Sequence, residues 1–461
     1  MKHKLKVELM ILELLGILLA LCLLIYLAYR GLSVIIISPL LALVAASFAP
    51  GLHLMEVFTV TYMKGTVGFI LSFFPLFLLG AIFGKVVEAT GCSIAIGNFI
   101  TTRLGKEKAI LAVVLSCAAL TYGGVSLFVV VFAIYPIAAH LFREAQIPKR
   151  LLPAAIALGA FSFTMTALPG SPQIQNAIPM PYFKTDLFAA PILGIVAALI
   201  MFGLGMMWLE RRANRAKAAG EGYGENDNED NKPVKNVRIP SFQRAVISII
   251  LIPVVFLVLS RVIFPMFETS QGVIGMWSLI IALVIAILST AALYARSFKC
   301  WADLIKTMDE GAADSLLPIF NTASVVGFGT VIATLPVFSI ISKSLIDISP
   351  NPIIATALST TVLAGLTGSA SGGMAIVLGI FGEEFYNWAI RDGIDPAVLH
   401  RVSAIASGGL DTLPHNGAII TLLSITRLTH KKSYFDILVA NIFIPLIALF
   451  VILILAHTGI V

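Results

Sequence analysis

The sequence contains very little charge: 12% of its 461 residues are Asp, Glu, Lys or Arg, whereas 58% are hydrophobic. This composition excludes a soluble globular domain, which needs a far more polar surface. The mean hydropathy of +0.97 is typical instead of a polytopic membrane protein. We therefore expect a multi-pass protein of the cell (inner or cytoplasmic) membrane. The apolar stretches that predict spans are Leu9–Tyr29, Val34–Phe48, Phe69–Val87, Leu187–Trp208, Val246–Ile263, Met276–Leu293 and Ile437–Leu455.

Cysteine is scarce as well. The four cysteines are scattered without a CxxC pair, which argues against a disulfide framework or a metal site. No GxxxxGK[ST] loop is present, which argues against direct use of ATP. The segment "GSASG" has Ala370 where a nucleophile elbow requires serine, so we expect no enzyme activity and no bound cofactor. The net charge of +6 follows the positive-inside pattern of membrane loops and does not predict a nucleic-acid partner.

One strongly polar segment, residues 210–243, interrupts the apolar sequence. Its composition is that of a solvated linker, and the basic residues at both of its ends predict a cytoplasmic location. The linker separates a first half, residues 1–209, from a second half, residues 244–461. The two halves have similar lengths.

The halves carry matching motifs in the same order. In the first half "ALTYGGVS" precedes "TALPGSPQIQN", and in the second half "GLTGSASGG" precedes "DTLPHNG". The spacing is nearly equal, with 48 residues from Thr121 to Pro169 and 47 from Thr367 to Pro414. Internal repeats of this kind are common in secondary transporters.

The charges around the first motif of each half predict how the repeats are oriented. Basic residues flank "TYGG" on both sides, whereas mainly acidic residues flank "TGSASGG". By the positive-inside rule, each segment enters and leaves on one side, the first cytoplasmic and the second extracytoplasmic. We therefore predict two inverted repeats, each with a re-entrant helical hairpin, at about 108–143 and about 351–391. The alternative is one long tilted helix with a glycine kink.

A broken transmembrane helix should follow each hairpin, at about 149–182 and about 395–428. Pro169 and Pro414 lack a backbone donor and clash with the preceding turn, so the helix cannot continue through them. An unwound backbone at membrane depth must be buried in protein or line a watery cavity. We therefore expect the two breaks and the two hairpin tips to face each other around a site. Half-helix N-termini at such a site suit an anion such as a carboxylate.

These segments resemble the gluconate:proton symporter (GntP) family, within the broader ion transporter superfamily. The resemblance covers nearly the whole chain and rests on "TYGGVSLFVVVFAIYPIA", "TALPGSPQIQN", "TGSASGGMAI" and "GLDTLPHNGAII". The sequence is most similar to the branch of D-beta-hydroxybutyrate permeases, because "ALPGSPQIQN" and "GLDTLPHNGA" replace "HPGP"-like segments of the sugar-acid permeases. The resemblance implies a scaffold domain, a transport domain that carries the hairpins and broken helices, a homodimer and elevator-like movement.

Two titratable residues in the second break are candidates for proton coupling. Asp411 is an ionisable group in the middle of a span, which is costly and indicates function by default. The alternative is that Asp411 caps the helix beyond the break. His415 titrates near neutral pH and can share the proton or bind substrate, unless it is a structural histidine.

The predicted substrate-binding residues are glycines that allow close backbone approach and short polar side chains that donate or accept hydrogen bonds. They are Thr121, Tyr122, Gly123, Gly124, Ser126, Gly170, Ser171, Gln173, Gln175, Asn176, Thr367, Gly368, Ser369, Ser371, Gly372, Thr412, His415 and Asn416. The hydroxyl groups at the hairpin tips have a second interpretation, which is capping of the half-helices.

Other charged residues are expected away from the site. We predict that Glu13 snorkels to the membrane surface and that His400 and Arg401 lie at the interface. The segment 300–314 reads as an amphipathic helix on the membrane surface.

The sequence therefore predicts a secondary active transporter that couples protons to the symport of small organic carboxylates, hydroxy acids or sugar acids such as 3-hydroxybutyrate or gluconate. Its expected partners are the organic anion, the lipid bilayer and a second copy of the chain. Two alternatives stay open. One is a sodium-coupled symporter of the same fold, with sodium held by unwound carbonyls and the tip hydroxyls. The other is a passive organic-anion channel.

Overall fold

The computed structural model describes residues 2–30, 32–125, 127–224, 239–266, 271–298, 300–338, 349, 351–414 and 416–459. Every regular element in these ranges is a helix, as expected where hydrocarbon leaves backbone polar groups no partner except each other. Six helices in this described part are long and apolar enough to cross a membrane. The prediction of an all-α, multi-pass membrane protein is confirmed.

The helices of the first half are named α1 to α11 in chain order. They are α1 (Lys2–Tyr29), α2 (Val34–Ser47), α3 (Leu54–Ala89), α4 (Cys92–Leu104), α5 (Ala109–Tyr122), α6 (Leu127–Glu144), α7 (Leu152–Ala160), α8 (Phe163–Thr166), α9 (Ile174–Ala177), α10 (Pro179–Phe183) and α11 (Pro191–Ala218). A π-helical turn at Val57–Tyr62 lies within α3. Both α3 and α11 are candidate spans.

The helices of the second half are named α12 to α19. They are α12 (Phe242–Ile263), α13 (Gln271–Leu293), α14 (Trp301–Thr334), α15 (Pro352–Thr367), α16 (Ala370–Arg391), α17 (Pro396–Ser407), α18 (Gly417–Thr426) and α19 (His430–Ala456). The candidate spans among them are α12, α13 from Ile274, α14 and α19.

The two halves share an order of elements. In each, two helices joined by a short turn pack against one another, α5 with α6 and α15 with α16. A short helix follows, α7 or α17, and its end is the start of a break. Beyond the break come short helices, α9 and α10 or α18, and then a candidate span, α11 or α19. The helix pairs occupy the segments predicted as hairpins, while the re-entrant, inverted arrangement stays a prediction.

The two helices that lead into the breaks lie at the centre of the protein. All nine residues of α7 are buried, and in α17 every residue from Val398 to Ser407 is buried. A helix that is buried on every side faces neither lipid nor water. The breaks at the ends of α7 and α17 are therefore in the protein interior.

Helices α3 and α14 pack closely along one another. Gly65 lies against Thr330, and Gly327 lies against Thr66, so neither glycine has room for a Cβ atom. Small residues at such crossings allow membrane helices to approach closely.

The segment predicted as a surface helix at 300–314 is helical from Trp301 and forms the first turns of α14, so it is continuous with a candidate span, while its position at the membrane surface stays a prediction. The acidic residues in those turns lower the local hydropathy and hide the span that continues to Thr334. The apolar stretch Val34–Phe48 forms helix α2, which starts at Val34 as predicted and ends at Ser47. Helix α2 has 14 residues. Its length is about 21 Å, compared with a hydrocarbon core of about 30 Å.

Glu13 does not snorkel to the membrane surface. Its side chain is only 3% exposed, and its Oε2 atom accepts a hydrogen bond of 2.8 Å from the backbone N–H of Val337, just beyond α14. The prediction is wrong because the carboxylate has a tertiary partner 324 residues away, which local sequence does not reveal.

The polar segment predicted as a linker from residue 210 is helical as far as Ala218. The residues that follow are attached to the first half. Tyr223 is buried, and its carbonyl oxygen accepts a hydrogen bond from the N–H of Lys149 at 3.1 Å. Both carboxylate oxygens of Glu221 accept from Arg150, at 2.7 and 2.8 Å. The solvated linker therefore starts later than predicted, and residues 225–238 lie outside the described ranges.

Candidate functional site

The first break lies between α7 and α9, and its backbone groups are paired within the protein. The left-handed φ of +79° at Gly170 turns the chain, and the Gly170 N–H donates to the carbonyl oxygen of Leu187 at 2.8 Å. The side-chain amide of Asn176 donates to the carbonyl oxygens of Ser171 and Leu187, each at 2.9 Å. These bonds replace those that a continuous helix would make, which permits an irregular backbone at this depth.

The turn between α5 and α6 packs directly on the first break. The hydroxyl of Tyr122 donates to the carbonyl oxygen of Pro169 at 3.0 Å, and the amide of Gln173 donates to the carbonyl oxygen of Thr121 at 2.7 Å. Gly124 has a φ of +84°, and a Cβ atom there would lie 3.0 Å from Pro172. Three of the predicted site residues in these contacts, Thr121, Tyr122 and Gln173, therefore fix the tip to the break.

The second break lies between α17 and α18 and is closed by its own asparagine. The Oδ1 atom of Asn416 accepts from the N–H groups of Ala418 and Ile419, at 2.6 and 3.1 Å, and so caps α18. Its side-chain amide donates to the carbonyl oxygen of Asp411 at 2.7 Å. Each break is thus closed by an asparagine amide at its end, from Asn176 or Asn416, that bonds a carbonyl five residues earlier.

Helix α19 holds the other side of the second break. The hydroxyl of Thr412 donates to the carbonyl oxygen of Asn441 at 3.1 Å, and the hydroxyl of Tyr434 donates to the carbonyl oxygen of Thr412 at 3.1 Å. Tyr434 and Asn441 carry no recognisable motif, and sequence reasoning missed both.

Asp411 is buried in this break, with 3% of its surface exposed. Its Oδ1 atom has no hydrogen-bond partner among the described residues. Because Asn416 supplies the cap of α18, the alternative interpretation of Asp411 as the cap of that helix is wrong. His415, the second predicted coupling residue, lies outside the described residues, as does Ser126 at the first tip.

The turn between α15 and α16 uses its hydroxyl groups locally. The Oγ atom of Ser369 accepts from the Gly372 N–H at 3.1 Å and caps α16. Ser371 Oγ lies 3.4 Å from Ser369 Oγ, and the hydroxyl of Thr367 donates to the carbonyl oxygen of Leu363 at 2.8 Å. Gly368, with a φ of +61°, reverses the chain. In this structure, Ser369 therefore acts as a helix cap.

This second tip also packs on the break of its own half. A Cβ atom at Gly365 would lie 2.7 Å from Leu410 Cβ, and the hydroxyl of Thr361 donates to the carbonyl oxygen of Ala406 at 3.2 Å. The two breaks are also neighbours, since a Cβ atom at Gly408 would lie 3.0 Å from Thr166 Cγ2. The structure thus brings the two breaks together, each with its own tip.

Some polar atoms around the breaks have no protein partner. In the part of the chain that the structure describes, the buried side-chain atoms without a hydrogen bond include Oγ1 of Thr121, Oγ of Ser171 and Oε1 of Gln175. A buried polar atom without a partner costs about 1–3 kcal/mol, so such atoms are rare unless a ligand or water meets them. Like Oδ1 of Asp411, these atoms are available to bind a ligand or a water molecule.

Arg401 and His400 are not interfacial, and that prediction is wrong. Both are completely buried in α17. The guanidinium of Arg401 donates to the carbonyl oxygens of Ala167 and Ala189 in the first half, and His400 pairs with Asn176 and Thr185. The run of alanine, serine and isoleucine after Arg401 is a signal of a buried helix that sequence reasoning passed over.

Comparison with known proteins agrees with this architecture. Residues 12–457 match the model of the GntP family of permeases. The chain is 44% identical over 480 positions to YxjC of Bacillus subtilis (strain 168), named as an uncharacterized transporter, with 97% of this chain and 100% of that protein covered.

Two solved structures share the fold at low sequence identity. The Alcanivorax borkumensis YdaH transporter, whose topology is described as unusual, matches with a TM-score of 0.61 and 15% identity over 88% of this chain and 89% of that one. Neisseria gonorrhoeae MtrF, placed in a class of antimetabolite efflux pumps, matches with a TM-score of 0.52 and 14% identity over 89% and 93%. With nearly its whole length matched by the family model, the chain belongs to the GntP family of permeases, and it is a membrane transporter.

Proposed function

We propose that this protein is a proton-coupled symporter of small organic carboxylates, hydroxy acids or sugar acids such as 3-hydroxybutyrate or gluconate. Its substrate site lies between the two breaks and their tips, it moves as an elevator, and it assembles as a homodimer. The observation that carries the proton coupling is the buried carboxyl group of Asp411, with one oxygen atom unpartnered among the described residues.

Burial explains why this carboxyl group suits a proton carrier. An ionised carboxylate in a low-dielectric interior without a partner costs several kcal/mol, and binding a proton removes that cost. When the site opens to water, solvation stabilises the ionised carboxylate again, so opening of the site and proton release are linked. Asp411 is the only acidic residue within the two breaks, residues 161–173 and 408–416.

The remaining site residues support a small anion with hydroxyl groups. Unpartnered Thr121, Ser171 and Gln175 offer hydroxyl and amide groups of the kind that bind a hydroxy acid. An apolar substrate is disfavoured at the breaks, because it would leave these buried donors and acceptors without partners.

The test is uptake by the purified protein in liposomes with an imposed pH gradient, comparing wild type with Asp411→Asn. We expect the variant to lose accumulation against a substrate gradient, because its amide cannot carry a proton. Exchange between labelled external and unlabelled internal substrate should continue, because it needs binding and movement but no net proton transfer. The matched control is Glu13→Gln, which removes an equally buried carboxyl group outside the breaks.

Wild-type accumulation by Asp411→Asn under the pH gradient would contradict the coupling role. Two further arms test the alternatives. A sodium gradient at constant pH drives accumulation only in a sodium symporter. A passive channel equilibrates substrate but never concentrates it.

A further inference from the structure

Arg401 is the largest fully buried side chain in the described part of the protein, and all of its hydrogen bonds cross between the halves. Nε donates to the carbonyl oxygen of Ala189 at 3.0 Å, and Nη2 donates to Ala189 at 2.8 Å and to Leu187 at 3.2 Å. Nη1 donates to the carbonyl oxygen of Ala167 at 3.2 Å and to Oδ1 of Asn176 at 3.1 Å. These five bonds use the five N–H groups of a guanidinium.

Every acceptor in this set is neutral. A buried arginine is ordinarily paired with a carboxylate, because an isolated charge is costly in a low-dielectric interior. Asp186 is close enough to interact electrostatically with Arg401. Its Oδ2, however, forms an ion pair of 2.8 Å with Arg261, and its Oδ1 accepts from the Phe188 N–H. Asp186 therefore bonds Arg261, whose side chain is 58% exposed, and the charge of Arg401 has no carboxylate hydrogen-bonded to it.

That charge lies beside the first break. Ala167 precedes Pro169 by two residues, and Asn176 lies in α9, directly after the break. Tyr122 at the first tip donates to the carbonyl oxygen of Pro169 in this break. The unpartnered hydroxyl of Ser171 belongs to the same segment. Coulomb interactions are several times stronger here than in water, so an anion near the break is strongly favoured.

The hydrogen bonds of Arg401 have a second effect on an anion. Three carbonyl oxygens, of Ala167, Leu187 and Ala189, point at the guanidinium. Their lone pairs are therefore engaged by N–H donors, which reduces the negative potential that they contribute near the first break. The guanidinium supplies positive potential and removes negative potential at the same time.

We propose that Arg401 is the residue that determines anion specificity: its charge selects carboxylates over their uncharged analogues through the local field, without touching the substrate. This inference rests on the proposed function, since it assigns the charge preference of the same site. It gives the second half of the chain control over binding at the first break.

The test measures charge selectivity, which a purely structural role would leave unchanged. Counterflow exchange in liposomes is inhibited with gluconate or 3-hydroxybutyrate and with the matching primary amide, gluconamide or 3-hydroxybutyramide. In the wild type, we expect the carboxylate to inhibit at a much lower concentration than the amide. Exchange needs no net proton movement, so the result does not depend on Asp411.

Two pairs of variants separate charge from structure. Asn176→Asp and Asn176→Ala both lose the amide donors to Ser171 and Leu187, but only the aspartate places a negative charge 3.1 Å from Nη1. The measured quantity is the inhibitory concentration of the amide divided by that of the carboxylate. We expect this ratio to be about tenfold or more lower in Asn176→Asp than in Asn176→Ala. Arg401→Gln should reduce it likewise, whereas Arg401→Lys, which keeps the charge, should retain most of it.

Equal ratios for Asn176→Asp and Asn176→Ala would overturn the proposal, as would a folded Arg401→Lys variant that has lost selectivity. If the Arg401 variants do not fold, the Asn176 pair decides the question alone. Selective exchange without any response to pH would refute proton coupling and leave the role of Arg401 intact. A wild type that exchanges neither carboxylate would overturn both.

Discussion

The two breaks are built alike but carry charge differently. The first break has no titratable residue of its own, and Arg401 from the second half donates to one of its carbonyl groups, that of Ala167. The second break contains Asp411 and His415, and it is held by Asn416 within the break and by His430, Tyr434 and Asn441 of α19. A shared backbone arrangement thus has a buried cation beside one break and a buried carboxyl group in the other.

The halves hold each other reciprocally. Arg401, in the helix before the second break, reaches into the first half without a carboxylate bonded to it. Arg150, just before α7 in the first half, reaches Asp436 of α19 in the second half at 3.2 Å. Asp436 also accepts from Trp208 and Arg212. Asp436 is thus bonded directly to two arginines, whereas Arg401 is bonded to neutral acceptors, so the two contacts between the halves differ in how their charges are paired.

The largest expected effect comes from replacing Asp436, whose carboxylate bonds Arg150 and Arg212. Asp436 is 1% exposed, and Asp436→Asn would remove the buried carboxylate that bonds both Arg150 and Arg212, leaving Glu221 as the anion bonded to Arg150. We expect the free energy of unfolding to fall by about 3–5 kcal/mol. Denaturant titration in mixed micelles measures this loss.

The matched control for Asp436 is Asp314→Asn. Asp314 pairs with Lys85 at 3.2 Å, but 59% of its side chain is exposed, so the loss should stay below about 1 kcal/mol. If both variants lost the same free energy of unfolding, the ion pairs of Asp436 with Arg150 and Arg212 would not be a structural contact between the halves.

The next prediction compares the effect of an added methyl group at two glycines, Gly170 in the first break and Gly417 just after the second. Gly170 has a φ of +79°, and a Cβ atom would lie 2.5 Å from Phe188 Cζ. We expect Gly170→Ala to lower the free energy of unfolding by about 2–4 kcal/mol, through left-handed strain and the clash.

Gly417 is the matched control, because it starts α18 in open space with no atom within 4 Å of an added Cβ. Gly417→Ala should be neutral or stabilise the protein by up to about 1 kcal/mol, since alanine is the better helix former. The same denaturant titration compares the two. A tolerated Gly170→Ala would mean that the first break relaxes as freely as the second.

The smallest effect concerns Glu221, the partly exposed carboxylate that pairs with Arg150. The hydrogen bond and charge of Arg150 lower the pKa of Glu221, so the folded protein binds this proton less tightly than the unfolded chain. The stabilising contribution is fully present above the ordinary Glu pKa of about 4.3, and it is lost as the pH falls through the lower folded-state pKa.

The melting temperatures of wild type and Glu221→Gln between pH 3 and 7 test this contribution. Their difference should be constant above about pH 5.5 and should shrink below about pH 4. High salt should also reduce it, because the pair is partly exposed. A difference that grows on acidification would contradict the assigned direction.

Much of this architecture follows from local sequence. Apolar runs predicted a helical membrane protein, and Pro169 and Pro414 predicted that two helices are interrupted, because proline lacks the backbone donor that a helix needs. Both prolines lie in the breaks, but α7 ends at Ala160 and α17 at Ser407, more than a turn before them. The tip glycines and Asp411 were also identified from their immediate neighbours. Helix α14 was missed because the acidic residues of its first turns masked the apolar run behind them.

Tertiary structure alone decided how the charges are used. Arg401 meets acceptors 212 to 234 residues away, and Glu13 meets Val337 at a separation of 324. A charged residue in an apolar sequence can snorkel, lie at an interface or be buried, and only the position of distant partners distinguishes these outcomes. The sequence by itself determined that the protein is a membrane transporter with two broken helices. The packing of the halves determined that Arg401 lies beside the first break and that Asp411 is buried in the second.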